Sequence, residues 1–359
     1  MIDSIDDRCH RAADAKWAFT TRRVPRAHAI GLDARFDDTV AGDLVLARVE
    51  AIGAHRRLQL PEGRFAELYE GDLVVVACGD RYASDQFEGV AELDPGGADL
   101  LAGGGVVGRM RARNGRMAAP TRLTPIGRVT GADGTVLNLA SYALPPAPAT
   151  RRLVVVGVVG AAMNAGKTTA VASLAQGLAR AGYAVAAVKA TGTGAFGDVH
   201  AYADAGARFV ADFTDAGMVA TYRQPLERIE AGFEGLLDHA AAQGCAIALV
   251  EFADGVFQYE TAALLRSERT RARLDGIVFA AGDALGAVGG VAWLRNVDLE
   301  PVAVTGVVSR SPLAASEAEA AANVRVVSRD ELLDPAGATA LLAMVRHGRA
   351  RAKAAGVAA

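Results

Sequence analysis

The sequence predicts an α/β protein in which a parallel sheet carries helices on both faces, preceded by a smaller β-rich domain. Three observations point there. From LVVVGVV (153–159) onward, short apolar runs alternate with amphipathic stretches, as when strands buried on both faces are joined by crossover helices. Up to residue 144, short β-rich runs follow one another without long amphipathic helices, which suits a small mixed sheet or barrel. Between the two regions, the prolines of PPAPAT (145–150) restrict the chain and supply no ladder donors, so this stretch reads as a linker.

In the first region, DLVLARV (43–49) and DLVVVAC (72–78), each preceded by a glycine, and GGGVVGRM (103–110) read as strands, with turn signals at Pro95 and Ala132. In the second, LVVVGVV is the first strand. Val171, Leu174 and Leu178 then recur at helical spacing until Gly182. AVAAV (184–188) is the next strand. A helix follows with Leu226, Ile229, Phe233, Leu236 and Leu237 on one face, then the strand AIALV (246–250). DGIVFAA (275–281), a helix around 291–294, VAVTGVV (302–308), an Ala/Glu-rich helix and the strand VRVV (324–327) complete the series. The domains expected are an N-terminal extension (1–23), the β-rich domain (24–144), the linker (145–152), the α/β domain (153–345) and a C-terminal tail (346–359) whose basic residues suit a helix end.

Composition narrows the function. The chain has 359 residues, 51% hydrophobic and 22% charged, with a net charge of −3. Bulk electrostatics therefore favour neither nucleic acid nor an anionic membrane. Cys9, Cys78 and Cys245 form no CxxC pair, which argues against a disulfide framework or a zinc site. The charged N-terminus lacks the apolar segment of a secretory signal, and no apolar run is long enough to span a membrane. The expected compartment is the cytoplasm.

LVVVGVV runs directly into GAAMNAGKTT (160–169). A buried strand, a loop of small residues, GKT and a helix are the context of a phosphate loop, whose backbone amides and helix N-terminus hold phosphate oxygens. The region therefore reads as a phosphate-loop NTPase domain with ATP and Mg2+ as cofactors. Asn164, Ala165, Gly166, Lys167, Thr168 and Thr169 are expected to bind the nucleotide. Lys167 would reach the β and γ phosphates, Thr168 would offer its hydroxyl to magnesium, and Thr169 would lie near the α phosphate. Ala161 stands where the pattern GxxxxGK[ST] has its first glycine, and the adjacent Gly160 is expected to take the strand-to-loop turn one residue early.

Two further strand ends carry polar groups. In VKATGTG (188–194), Lys189 leaves the sheet where such folds bind ligands, and Thr191, Gly192 and Thr193 form a small hydroxyl-rich loop suited to an anion. In VEFADG (250–255), Glu251 follows a buried strand, the place from which a carboxylate can hold magnesium, with Asp254 as second choice or a plain turn residue. Asp198, Asp204, Asp212 and Asp215 lie between these segments, and one of them is expected to join the metal site. His200, in the same loop, reads as a surface residue rather than a catalyst.

AAMNAGKTT, VKATGTG and VEFADG together resemble dethiobiotin synthetase and its relatives, in the branch of phosphate-loop proteins that includes partitioning ATPases and metallocentre-assembly GTPases. The resemblance covers about residues 153–330. It implies that Lys167, Thr168 and Glu251 serve phosphates and magnesium, that Asp204 is the extra carboxylate, and that Lys189 contacts the substrate or the developing charge. That enzyme phosphorylates a carbamate, and the mixed anhydride is attacked within the same molecule. Ala190, Phe252, Asp254 and Ser309 depart from its pattern. The N-terminal domain is similar to one found in uncharacterised bacterial proteins. Its DRYASDQFEG segment (80–89) offers Arg81, Tyr82, Asp85 and Gln86 either as a contact loop or as a surface turn with one buried tyrosine.

The function expected is an ATP- and Mg-dependent enzyme that activates a small-molecule substrate by phosphoryl transfer, of the ligase or kinase type. Lys167 and Lys189 would be catalytic, Thr168, Glu251 and Asp204 would hold the metal, and Thr191, Gly192 and Thr193 would meet the substrate. The alternative is a nucleotide-switch ATPase or GTPase of the partitioning or metallochaperone type, or a non-catalytic nucleotide-binding module. Ala162 stands where partitioning ATPases carry an extra lysine, and neither an NKxD motif nor a histidine-rich metal reservoir is present. A small molecule is the expected partner, nucleic acid and membrane are not, and a homodimer is left open.

Overall fold

The computed structural model describes Ala12, residues 14–148 and residues 152–356. Residues 1–11 with Cys9, residue 13, residues 149–151 of the linker and residues 357–359 of the tail lie outside the described residues. The chain forms two compact units. One comprises Met1–Pro145, Gly192–Gly197 and Phe213–Gln224, the other Pro146–Thr191, Asp198–Asp212 and Pro225–Ala359.

The first unit contains β1 (Lys16–Trp17), β2 (Gly31–Asp33), β3 (Leu44–Ala51), β4 (Arg57–Gln59), β5 (Phe65–Glu67), β6 (Leu73–Cys78), β7 (Phe87–Val90), β8 (Ala98–Ala102), β9 (Val106–Arg113) and β10 (Thr121–Thr130). Antiparallel pairing links β6 to β3, β3 to β10, β10 to β8 and β8 to β9, and a parallel pairing returns from β9 to β6. Five strands thus close on themselves, which satisfies backbone groups that an open sheet would leave at its edges. Successive residues of β3 serve opposite faces: Leu44 and Leu46 join one apolar cluster, Val45 and Ala47 another. The sequence reading missed β10, the longest of these strands, because Pro125 interrupts it. The proline is tolerated at a register shift between Pro125 and Gly127.

His55 is held in this unit with Nδ1 3.1 Å from the Leu100 carbonyl and Nε2 3.3 Å from Gln86 Oε1. Burial pushes its imidazole from 6.5 down to about 4, and the charge of Arg81 adds to the effect. Between those values the unfolded chain binds a proton that the folded one refuses. Stability is therefore whole above pH 6.5 and falls as pH drops toward 4, by about 3 kcal/mol over the full window. In urea titrations across that range, His55→Gln should lose less stability on acidification than the wild type. Equal losses would assign the dependence to other groups.

The second unit contains β11 (Val154–Gly160), α1 (Lys167–Arg180), β12 (Val185–Lys189), α2 (Phe196–Asp204, its first residues counted with the other unit), β13 (Phe209–Asp212), α3 (Leu226–Ala242) and β14 (Ile247–Glu251). It continues through α4 (Tyr259–Arg266), α5 (Glu268–Arg273), β15 (Gly276–Ala280), α6 (Ala284–Arg295), β16 (Pro301–Thr305), α7 (Pro312–Ala322), α8 (Arg329–Leu333) and α9 (Pro335–Gly356). The sheet is six-stranded in the order β13-β12-β14-β11-β15-β16, and every pairing is parallel. Val171, Leu174 and Leu178 of α1 pack with Val156 and Val158 of β11 and with Leu341, Leu342 and Val345 of α9 in one core. Each such fully buried aliphatic side chain contributes roughly 1.5–3 kcal/mol. The apolar face expected on α3 is real, with Ile229, Phe233, Leu236 and Leu237 buried.

Three expectations change. VRVV is not a strand; Val326 makes one isolated parallel bridge with Val304 before a Ser328 capping box starts α8. Phe209–Asp212, unread in the sequence, adds the edge strand β13. The stretch read as a loop around His200 is the helix α2. Cys78 and Cys245 are both buried. Among the described residues no helix is long and apolar enough to cross a membrane.

Candidate nucleotide site

The chain leaves β11 for β12 and β13 on one side and later builds β15 and β16 on the other. The carboxyl end of β11 is therefore a topological switch point, where open α/β sheets bind ligands. Residues 161–166 connect it to α1. Gly166, the N-cap, has φ 103°, and Asn164 has φ 62°. A Cβ on Gly166 would also lie 3.0 Å from the Gly306 Cα, so the conformation calls for glycine and the space around it is tight.

Ala161 lies outside the left-handed region, so the pattern's first glycine is not needed for its dihedral freedom. Gly160 does not take the turn expected of it. It stays in β11 without a positive φ, and a Cβ there would come 3.0 Å from Lys167 Cγ, so it contributes space.

Lys167 is only 6% exposed. Its Nζ donates to the carbonyls of Ala162 at 2.8 Å and Asp254 at 2.6 Å. Burial lowers its pKa, while Glu251 and Asp254 oppose that fall. The loop after β14 sits directly on the phosphate loop. Val256 N donates to the Gly160 carbonyl at 3.0 Å, and a Cβ on Gly255 would stand 2.3 Å from the Ala161 oxygen. Asp254 has φ 61°, and its carboxyl is pushed up to about 6 by burial, which outweighs the pull of Lys167 and Lys189.

Beside this loop lies a charged cluster. Thr168 Oγ1 donates to Asp198 Oδ1 at 3.0 Å. Lys189 Nζ donates to the other Asp198 oxygen and stands 3.2 Å from Glu251 Oε1. The second Glu251 oxygen accepts from the Tyr202 hydroxyl, and Glu251 and Tyr202 are both buried. Burial alone would depress the Lys189 ammonium, but Glu251 and Asp198 outweigh it and raise its pKa. Burial raises the Tyr202 phenol, and Glu251 adds to this, so Tyr202 remains a donor.

Among the described residues, no group of three or more His, Cys, Asp or Glu side chains could hold a metal by itself. Mg2+ does not require one, since it keeps waters and phosphate oxygens beside one or two carboxylates. The donor set fits: a cation, the Lys189 ammonium, already lies between Asp198 and Glu251, with the Thr168 hydroxyl adjoining.

The structure brings Lys167, Thr168, Lys189 and Glu251 together. Asn164, Ala165, Gly166 and Thr169 form the loop and the first turn of α1. Asp204 is not among them. It is exposed at the far end of α2, whereas Asp198 in the first turn reaches Thr168. The Thr191 hydroxyl is buried and accepts from Ala253 N at 2.8 Å. Gly192 and Thr193 belong to the first unit, where Gly192 N donates to Thr221 Oγ1 at 2.9 Å. Asp212 is buried in β13, Asp215 pairs with Arg22 at 2.6 Å, and His200 is half-buried on α2. Tyr202 was missed. Once 196–204 is known to be helical, Asp198 and Tyr202 are four residues apart and share a face.

A cavity of about 620 Å³ adjoins the loop, lined by Gly166 and Thr169 and, across it, Ser309, Arg310, Arg329 and Asp330. The strand, loop and helix over residues 154–180, set on a parallel sheet, have the geometry of a phosphate-loop nucleotide-binding fold.

No family model matches the chain, and no curated protein does. Similar solved structures include the Signal Recognition Particle 54 kDa protein from Aeropyrum pernix K1 in complex with GDP, at 20% identity and TM-score 0.34, covering 55% of this chain and 50% of that one. The signal recognition particle receptor FtsY from Elizabethkingia anophelis is similar at 16% identity. Its GDP complex has TM-score 0.34 over 49% of this chain and 56% of that one. A second structure of it has TM-score 0.35 over 56% and 68%. The match thus spans about half the length of the first two structures.

Proposed function

We propose that the second unit binds a nucleoside triphosphate with Mg2+, hydrolyses it, and uses the nucleotide to reset the Lys189–Asp198–Glu251 cluster. The observation that carries this reading is Lys189, held between two carboxylates with Thr168 on one of them. The groups expected to meet a small substrate are engaged: Lys189 by carboxylates, the Thr191 hydroxyl by Ala253. That favours a nucleotide-driven switch over small-molecule activation.

Lys167 exchanges two backbone carbonyls for phosphate oxygens, and Lys189 exchanges its carboxylates for the γ phosphate. Each exchange ties an arrangement of side chains to the state of the nucleotide. Thr168, Asp198 and Glu251 would hold the metal, which when bound neutralises charge on the phosphates. In hydrolysis a water oxygen bonds to the γ phosphorus as the bridging P–O bond breaks, giving diphosphate nucleotide and inorganic phosphate. Ribose and base take the cavity beside the loop, rimmed by Ser309, Arg310 and Asp330.

The full chain incubated with ATP or GTP and Mg2+, without any acceptor, should release diphosphate and inorganic phosphate in equal amounts, and the favoured base reports what the cavity reads. Turnover that appears only when a small amine or carboxylic acid is added, whether the phosphate is then released or kept on the product, would replace this reading with phosphoryl transfer. Absence of nucleotide binding would overturn both.

A further inference from the structure

We infer that the first unit carries a binding site for a small organic cation, formed by Tyr82, Tyr222 and Glu88. All three line a cavity of about 290 Å³. The rings of Tyr82 and Tyr222 meet at 5.6 Å between centroids with 50° between planes, a tilted aromatic wall. The face of each ring attracts positive charge.

Glu88 adds a formal negative charge beside that wall. Its Oε1 accepts from the Tyr222 hydroxyl at 3.1 Å, which fixes carboxylate and ring relative to each other. Glu88 is half-buried and has no cationic partner among the described residues. A half-buried carboxylate without a counter-charge beside two π faces is chemistry that a substituted ammonium satisfies better than water does.

The surroundings hold these groups in place. Gln86 turns its Oε1 to Arg81 at 2.9 Å and His55 at 3.3 Å. Asn114 closes the cavity from β9's end, its backbone N on the Gln86 carbonyl at 2.8 Å and its side-chain amide on the Ser84 carbonyl at 3.1 Å. Arg223, directly after Tyr222, has φ 60°, a conformation uncommon for a residue with a side chain, and its guanidinium lies 3.6 Å from Asp80 rather than on Glu88. Arg113, exposed and opposite Phe87 in the β7–β9 register, is the cationic lining residue. The DRYASDQFEG segment is therefore one wall of the cavity, with Tyr222 and residues 112–114 supplying the rest.

Calorimetric titration of the full chain with choline, and with its uncharged isostere in which carbon replaces the ammonium nitrogen, tests this. Choline should bind saturably and the isostere at least about tenfold more weakly. Glu88→Gln and Tyr222→Leu should each weaken choline about tenfold, while Tyr82→Phe, which keeps the ring face, should stay within about twofold. Circular dichroism and the thermal midpoint of each variant separate lost binding from lost folding. Equal binding of the two probes, no saturable choline binding, or unchanged affinity in a folded Glu88→Gln variant would overturn the site.

Discussion

Lys167→Ala should reduce nucleotide affinity and triphosphate turnover by at least about 100-fold while leaving the fold in place. The ammonium is buried against the loop and bonded to the carbonyls of Ala162 and Asp254. It is the cation on the loop itself. The shortened side chain leaves two carbonyls without this donor, a loss of about 1–3 kcal/mol each unless water reaches them. The thermal midpoint of the variant should thus drop modestly. The decisive readout is the rise in midpoint on adding nucleotide and Mg2+. Wild type should show it, because a ligand that binds only the folded state stabilises by mass action, and Lys167→Ala should not. An undiminished rise in the variant would remove the phosphate-loop assignment.

Glu251→Gln should have the second-largest effect. The amide keeps the size of the side chain and an oxygen for the Tyr202 hydroxyl, but it removes one of the two negative charges facing Lys189. The Mg2+ concentration needed for half-maximal turnover should rise at least about tenfold, and turnover at saturating Mg2+ should fall by about 100-fold. Lys189 retains Asp198, so its buried charge is not abandoned and the stability loss should not exceed about 3 kcal/mol. A Mg2+ titration of phosphate release, with urea midpoints measured alongside, separates the two effects. Unchanged Mg2+ dependence would take Glu251 out of the metal site, and Asp198→Asn would then show whether that carboxylate acts alone.

The parallel sheet and the phosphate loop were legible in the sequence because each rests on local pattern. LVVVGVV, AVAAV, AIALV and DGIVFAA are continuous apolar runs, and the structure has β11, β12, β14 and β15 there, within a residue or two at the ends. GKTT opens α1 because the strand feeding it and the helix leaving it are both short-range features. VRVV misled for the reason that makes β-propensity a weak guide: it has the composition of a strand but finds a partner only at Val326. In β10, Pro125 hid a strand that tertiary pairing accommodates at a bulge.

The choice of Asp204 over Asp198 shows where pattern stops. Asp198, Asp204, Asp212 and Asp215 carry the same chemistry, and spacing along the chain does not rank them until 196–204 is known to be a helix. Its first turn then carries Asp198 to Thr168, its next turn brings Tyr202 to Glu251, and its last leaves Asp204 exposed.

The sequence by itself determined that a buried strand ends in a loop of small residues feeding a helix and that acidic and basic groups stand at the ends of neighbouring strands. Only the tertiary structure decided which of those groups meet. Lys189 and Glu251 lie 62 positions apart and become neighbours because β12 pairs with β14 in a register that sets them side by side. Residues 192–197 and 213–224, contiguous with the nucleotide unit in sequence, pack with the first unit instead. Hydrophobic periodicity reports which face of each element is buried, whereas contacts between elements follow from register and crossover, which no local window of sequence contains.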